Sequence, residues 1–120
     1  MTELSGLKVF LVEDEGVIAL LIEDMLQDLG CEIAATAANL AEAREIAATA
    51  EIELAVLDVN VDGQPIFPVA KILRDRQIPF VFSTGYGVSG LTSEFDGAVV
   101  LGKPFSKKEL QETMSRALKR

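Results

Sequence analysis

The stretch Leu54-Ala55-Val56-Leu57 is apolar at four successive positions and ends at Asp58. A half-exposed strand alternates apolar and polar residues. An unbroken run entered from Glu51-Ile52-Glu53 reads instead as a strand covered on both faces, the situation of a parallel sheet. A carboxylate where such a strand leaves the core lies at the carboxyl edge of the sheet, where open α/β sheets bind their ligands. Alone, Asp58 reads as a turn residue or a cap for the next helix; the ends of the other strands change that.

Residues 7–12, Leu-Lys-Val-Phe-Leu-Val, predict the first strand, and Glu13-Asp14-Glu15 follow at once. Val17 to Leu29 predicts a helix with Ile18, Leu21, Ile22, Met25 and Leu29 on its apolar stripe and Gly30 as its stop. Glu32 to Ala37 is a weaker strand. Asn39 with Glu42 resembles a capping box opening an Ala-rich helix to about residue 49. After the Asp58 strand, Gly63, Pro65 and Pro68 mark a loop, followed by a short helix from Val69 to Arg76. Pro79 to Ser83 is the fourth strand and Ala98 to Leu101 the fifth. Between them, Gly85-Tyr86-Gly87-Val88-Ser89-Gly90-Leu91 is too glycine-rich for a regular helix, so the fourth helix is expected to be short or irregular. Ser106 and Glu109 form a second capping box, opening a last helix striped by Leu110, Met114, Ala117 and Leu118.

Five β-α repeats predict a five-stranded parallel sheet with helices on both faces. Right-handed crossovers leave few arrangements, of which the flavodoxin-like order 2-1-3-4-5 is the commonest. The 120 residues suffice for one domain and are too few for two ordinary ones. The net charge of −8 argues against nucleic acid or an anionic membrane as partner. The basic residues Lys103, Lys107, Lys108, Arg116, Lys119 and Arg120 read as a solvated face at the last helix. No apolar run is of membrane-spanning length, and residues 1–6 carry no signal-peptide pattern; with the single cysteine, Cys31, this suits a reducing cytoplasm. There is no histidine, so any phosphohistidine must come from a partner.

In the order 2-1-3-4-5 four neighbouring strand ends carry polar groups: Glu13-Asp14, Asp58, Thr84 and Lys103-Pro104. Singly each has an ordinary explanation, as first-turn acids, a turn residue or a surface lysine. Together they would converge on one pocket. Close carboxylates repel unless a cation neutralises them, and an all-oxygen set without histidine suits Mg²⁺. A lysine and a hydroxyl suit phosphoryl oxygens. Phosphoryl transfer asks for little beyond positioning and charge neutralisation, with Asp58 as nucleophile.

Over about residues 6–119 the chain resembles a response-regulator receiver domain, through Leu11-Val12-Glu13-Asp14-Glu15, Leu57-Asp58-Val59-Asn60, Ser83-Thr84-Gly85 and Gly102-Lys103-Pro104-Phe105. The resemblance implies that Asp58 is the phosphoacceptor and that Glu13, Asp14, Asp58 and the Asn60 carbonyl hold the metal. It assigns Thr84 to sensing the phosphoryl group, Lys103 to binding it, and a cis bond to Pro104. Phe80-Val81-Phe82-Ser83-Thr84-Gly85-Tyr86-Gly87 and Pro68-Val69-Ala70 are similar to the "FAT GUY" subset of single-domain receivers of alphaproteobacteria, which is associated with stress-response phosphorelays.

Two positions depart from the family pattern. Glu13 replaces an aspartate and is one methylene longer, which leaves open ligation through a water. Val100 stands where receivers carry an aromatic switch residue, so the Gly85–Gly90 segment, with Tyr86, is expected to carry the response by ordering when Thr84 is drawn to the phosphoryl group.

Three other readings compete for the same residues. A calcium loop opening at Asp58 needs glutamate at its twelfth position, where Val69 stands. A haloacid-dehalogenase-type phosphatase needs an acid two residues after its nucleophile, where Asn60 stands. A receiver-like interaction module that is never phosphorylated would not need Asp58, Thr84 and Lys103 together.

The expectation is therefore a cytoplasmic single-domain response regulator spanning residues 1–120 with no output domain, a slowly self-dephosphorylating phosphoacceptor and not an enzyme. Its implied cofactor is Mg²⁺. Its implied partners are a sensor histidine kinase or histidine phosphotransferase and a downstream protein.

Overall fold

The computed structural model describes residues 3–85, 91–95 and 97–119. Five parallel strands form the sheet: β1 (Lys8–Val12), β2 (Glu32–Ala37), β3 (Leu54–Asp58), β6 (Phe80–Thr84) and β7 (Val100–Gly102). Their order is β2-β1-β3-β6-β7, the expected 2-1-3-4-5 once a small hairpin, β4 (Asn60–Val61) and β5 (Gln64–Pro65), is set aside. Helices α1 (Gly16–Asp28), α2 (Leu40–Thr49), α3 (Phe67–Asp75) and α4 (Lys107–Leu118) cover both faces. The fold is the flavodoxin-like α/β fold expected.

The period-two rule divides the strand residues between two cores. Phe10, Val12, Ala55, Leu57 and Phe82 face α2 and α3; Val9, Leu11, Leu54, Val56, Val81 and Leu101 face α1 and α4. On the first face Phe95 stacks on Phe67, with ring centroids 5.3 Å apart, and meets Phe82 edge-on at 5.5 Å.

Local chemistry explains the helix ends. Helix α1 closes through Gly30 at φ +90°, with the Gly30 amide on the Gln27 carbonyl and the Cys31 amide on the Leu26 carbonyl, a Schellman pair. Ser106 and Glu109 form the full reciprocal box at α4. At α2, Asn39 accepts from the Glu42 amide, but the Glu42 carboxylate accepts from Ala38, one residue earlier than a standard box.

Two expectations need correction. Leu21 is not in the core: it is 54 % exposed, while Leu26, left off the predicted stripe, is wholly buried. Helix α1 is apolar around most of its circumference, so periodicity alone could not choose the packed face. Helix α3 starts at Phe67, not Val69, and Pro68 lies in its first turn, where the missing amide costs nothing. Of the expected fourth helix, the described residues contain a 3-10 turn at Ser93–Phe95. Residues 86–90, expected to carry the response, lie outside the described residues, Tyr86 and Gly87 of the resemblance included.

Candidate phosphoryl-acceptor site

The strand order sets Glu13 and Asp14 after β1, Asp58 at the end of β3, Thr84 at the end of β6 and Lys103 just past β7. In-register pairing aligns these ends: Val12 lies against Leu57, Asp58 against Ser83, and Thr84 against Gly102. The ladder runs one step further, the Lys103 amide donating to the Thr84 carbonyl at 2.9 Å. The Lys103–Pro104 bond is cis.

Glu13, Asp14, Asp58 and Lys103 meet. Lys103 Nζ donates to Glu13 Oε1 at 2.8 Å and to Asp58 Oδ2 at 3.3 Å. The Glu13 side chain is 1 % exposed, and its other oxygen accepts from the Glu15 amide at 3.2 Å. Asp14 is exposed, and its Oδ2 accepts from the Asp62 amide at 2.8 Å. The Asn60 amide approaches Asp58 Oδ1 at 3.4 Å. Above these groups lies a cavity of about 560 Å³ lined by Asp14, Asp58, Asn60, Thr84 and Lys103, with Phe67 among its apolar walls. Every candidate residue thus reaches one site, with Glu13 set below the cavity rather than in its lining.

The electrostatics follow from this crowding. Burial pushes the Asp58 carboxyl up to about 6, Glu13 adds to the rise, and Lys103 offsets part of it. Burial pulls the Lys103 ammonium down, but the hydrogen bond to Glu13 and the charge of Asp58 outweigh it, so its pKa is raised and the charge is kept. Glu13, Asp14 and Asp58 each offer an oxygen within 4.8 Å of the others. Nothing but oxygen stands among these donors, which suits a hard divalent cation.

Sequence reasoning missed the β4–β5 hairpin, which puts the Asp62 amide on Asp14. Its turn residues Asp62 and Gly63 have φ of +52° and +77°, a type I′ turn, and the Asp-Gly pair was the available signal. Ser83, the residue before Thr84, lies buried in register with Asp58.

The family profile for the response regulator receiver domain matches residues 9–115. The phyllosphere-induced regulator PhyR of Methylorubrum extorquens is 27 % identical over 92 % of this chain and 43 % of its own length. The chain spans less than half of the curated relatives it matches. The solution structure of SdrG from Sphingomonas melonis superposes with a TM-score of 0.84 at 34 % identity, over 98 % of this chain and 99 % of that one. The solution structure of SdrG from Pseudomonas melonis in a BeF3-activated conformation gives 0.79 at 36 % identity, over 95 % and 98 %. The receiver domain of a sensor histidine kinase from Pseudomonas aeruginosa, with a magnesium ion coordinated in its active-site cleft, gives 0.81 at 24 % identity, over 97 % and 100 %.

Proposed function

Because the chain belongs to the response regulator receiver domain family, and so to two-component signalling, we propose that Asp58 accepts a phosphoryl group from a partner's phosphohistidine. The observation that carries this is the meeting of the Glu13, Asp14 and Asp58 carboxylates with the Lys103 ammonium at one sheet edge. An Asp58 carboxylate oxygen attacks phosphorus in line as the phosphorus–nitrogen bond breaks, and the departing imidazole nitrogen keeps its electron pair and takes a proton. Lys103 pairs with a phosphoryl oxygen, and Thr84, in the wall of the same cavity, offers its hydroxyl to another. Glu13, Asp14, Asp58 and the Asn60 carbonyl would hold Mg²⁺, which when bound neutralises phosphoryl charge. The coordinated magnesium of the Pseudomonas domain and the BeF3-activated form of SdrG support this reading.

The protein would act in the cytoplasm as a single-domain regulator, signalling through changed protein contacts or onward relay, with slow hydrolysis of its aspartyl phosphate and no turnover of a substrate. Among the described residues no helix is long and apolar enough to cross a membrane. The histidine kinase or phosphotransferase would dock beside the site, where Val17, Leu20 and Leu21 are exposed on α1. Ile18, Leu21, Ile22 and Met25 line a groove of about 340 Å³ with Pro104 and Phe105, and Lys103 borders both groove and site. The end of β7 and helix α4 would extend that surface.

Incubation with Mg²⁺ and acetyl phosphate tests the central step. Intact-mass spectrometry should find one added phosphoryl group, absent in Asp58→Ala. No gain in the wild-type protein would leave a receiver-fold interaction module instead.

A further inference from the structure

We infer that Ser83 is a positioning residue for Lys103, its hydroxyl receiving the ammonium group when a divalent cation takes Glu13. The inference rests on the cation chemistry proposed above. Its starting point is the Ser83 Oγ, which is buried in a residue 1 % exposed and has no hydrogen-bond partner among the described residues. A buried hydroxyl left unpaired is costly and calls for a reason. The flanking strands offer little relief, because β6 pairs with β3 on one side and β7 on the other, engaging their backbone groups in the ladders.

Topology supplies the reason. Lys103 leaves the end of β7 and reaches Asp58 on β3, so its stem crosses the strand between them, β6. The register sets Asp58, Ser83 and Leu101 in one row on one sheet face, and Lys103 follows Leu101 by two positions on that face. Two positions further on, just past the end of β6, stands Gly85, which has no side chain. Ser83 is therefore the one β6 side chain at this level on the side that the lysine crosses. The ammonium reaches past it to Glu13, at 2.8 Å. A divalent ion on Glu13 repels the ammonium, and retraction toward its own strand brings it back over Ser83, whose oxygen accepts while the contact with Asp58 is kept.

Calorimetric titration with Mg²⁺ and thermal melts without it test this in wild type, Ser83→Ala, Lys103→Met and the double variant. Ser83→Ala should leave the cation-free Tm unchanged or raise it, and weaken Mg²⁺ binding about threefold to tenfold, the range one hydrogen bond supplies. In the Lys103→Met background the same change should leave Mg²⁺ affinity unaltered, since the loss acts through the lysine. Equal Mg²⁺ affinity in wild type and Ser83→Ala, or an equal loss in both backgrounds, overturns the role of Ser83 while leaving the cation site standing. A wild-type protein that fails to bind Mg²⁺ overturns both.

Discussion

Lys103 Nζ lies 2.8 Å from Glu13 Oε1, a pair 90 positions apart in the chain. The lysine thus neutralises the most buried acid of the site as well as the candidate phosphoacceptor, from which it stands at 3.3 Å. This one ammonium keeps two carboxylates compatible.

Removing that charge should therefore be costly. Lys103→Met keeps most of the stem and leaves Glu13 and Asp58 facing each other at low exposure. A loss of about 2–4 kcal/mol at neutral pH is expected, somewhat less than for a fully buried pair broken on one side. Urea unfolding would measure it, and added Mg²⁺ should restore part of the loss by supplying positive charge to the same carboxylates.

The pH dependence of stability follows from Asp58. Its carboxyl is pushed up to about 6 in the folded protein, above its ordinary 3.8, so the folded state holds the proton more tightly than the unfolded chain. The stability from this group is complete below the ordinary value and is lost as pH rises through about 6. Asp58→Asn, which mimics the protonated form, should match wild type near pH ~4 and exceed it by about 1–2 kcal/mol at pH ~7, after discounting for solvent screening. Paired melts across this range check it; a difference that stays flat with pH would remove Asp58 as the cause.

Gly63 links backbone geometry to the site. Its φ of +77° is strained for any other L-residue, and a Cβ there would meet nothing within 4 Å, so the penalty is conformational. Gly63→Val should cost about 1–2 kcal/mol. It should also weaken Mg²⁺ binding several-fold, because the hairpin turn is what brings the Asp62 amide to Asp14. A calorimetric titration reads the second effect separately from the melt.

Leu21 separates docking from chemistry. It is 54 % exposed on α1 and borders the groove beside Lys103 without reaching the carboxylates. Leu21→Arg should leave phosphoryl uptake from acetyl phosphate unchanged and slow transfer from a phosphohistidine partner by about tenfold or more, as for loss of an apolar anchor in an interface. Equal rates from the protein donor would move the docking surface elsewhere.

Much of this molecule was legible in its order of residues. The four-residue apolar run before Asp58 predicted a strand covered on both sides, and β3 is buried from Leu54 to Leu57. Caps at Asn39 and Ser106 and the stop at Gly30 marked helix ends because the signal is local: a side chain or a positive φ acting on its own backbone. The packed side of α1 was not legible, since Leu21 and Leu26 are equally apolar and only the neighbouring elements choose between them.

The candidate site divides the same way. By itself the sequence determined which groups stand at the strand ends, because alternation and turn residues mark where each strand leaves the core. Only the tertiary structure decided how they pair: that Lys103 spans two strands to reach Glu13, that Asp62 anchors Asp14, and that the buried Ser83 hydroxyl has no partner among the described residues. Those contacts depend on sheet register and on which charges share a desolvated space, and both are properties of the assembled sheet that no single segment carries.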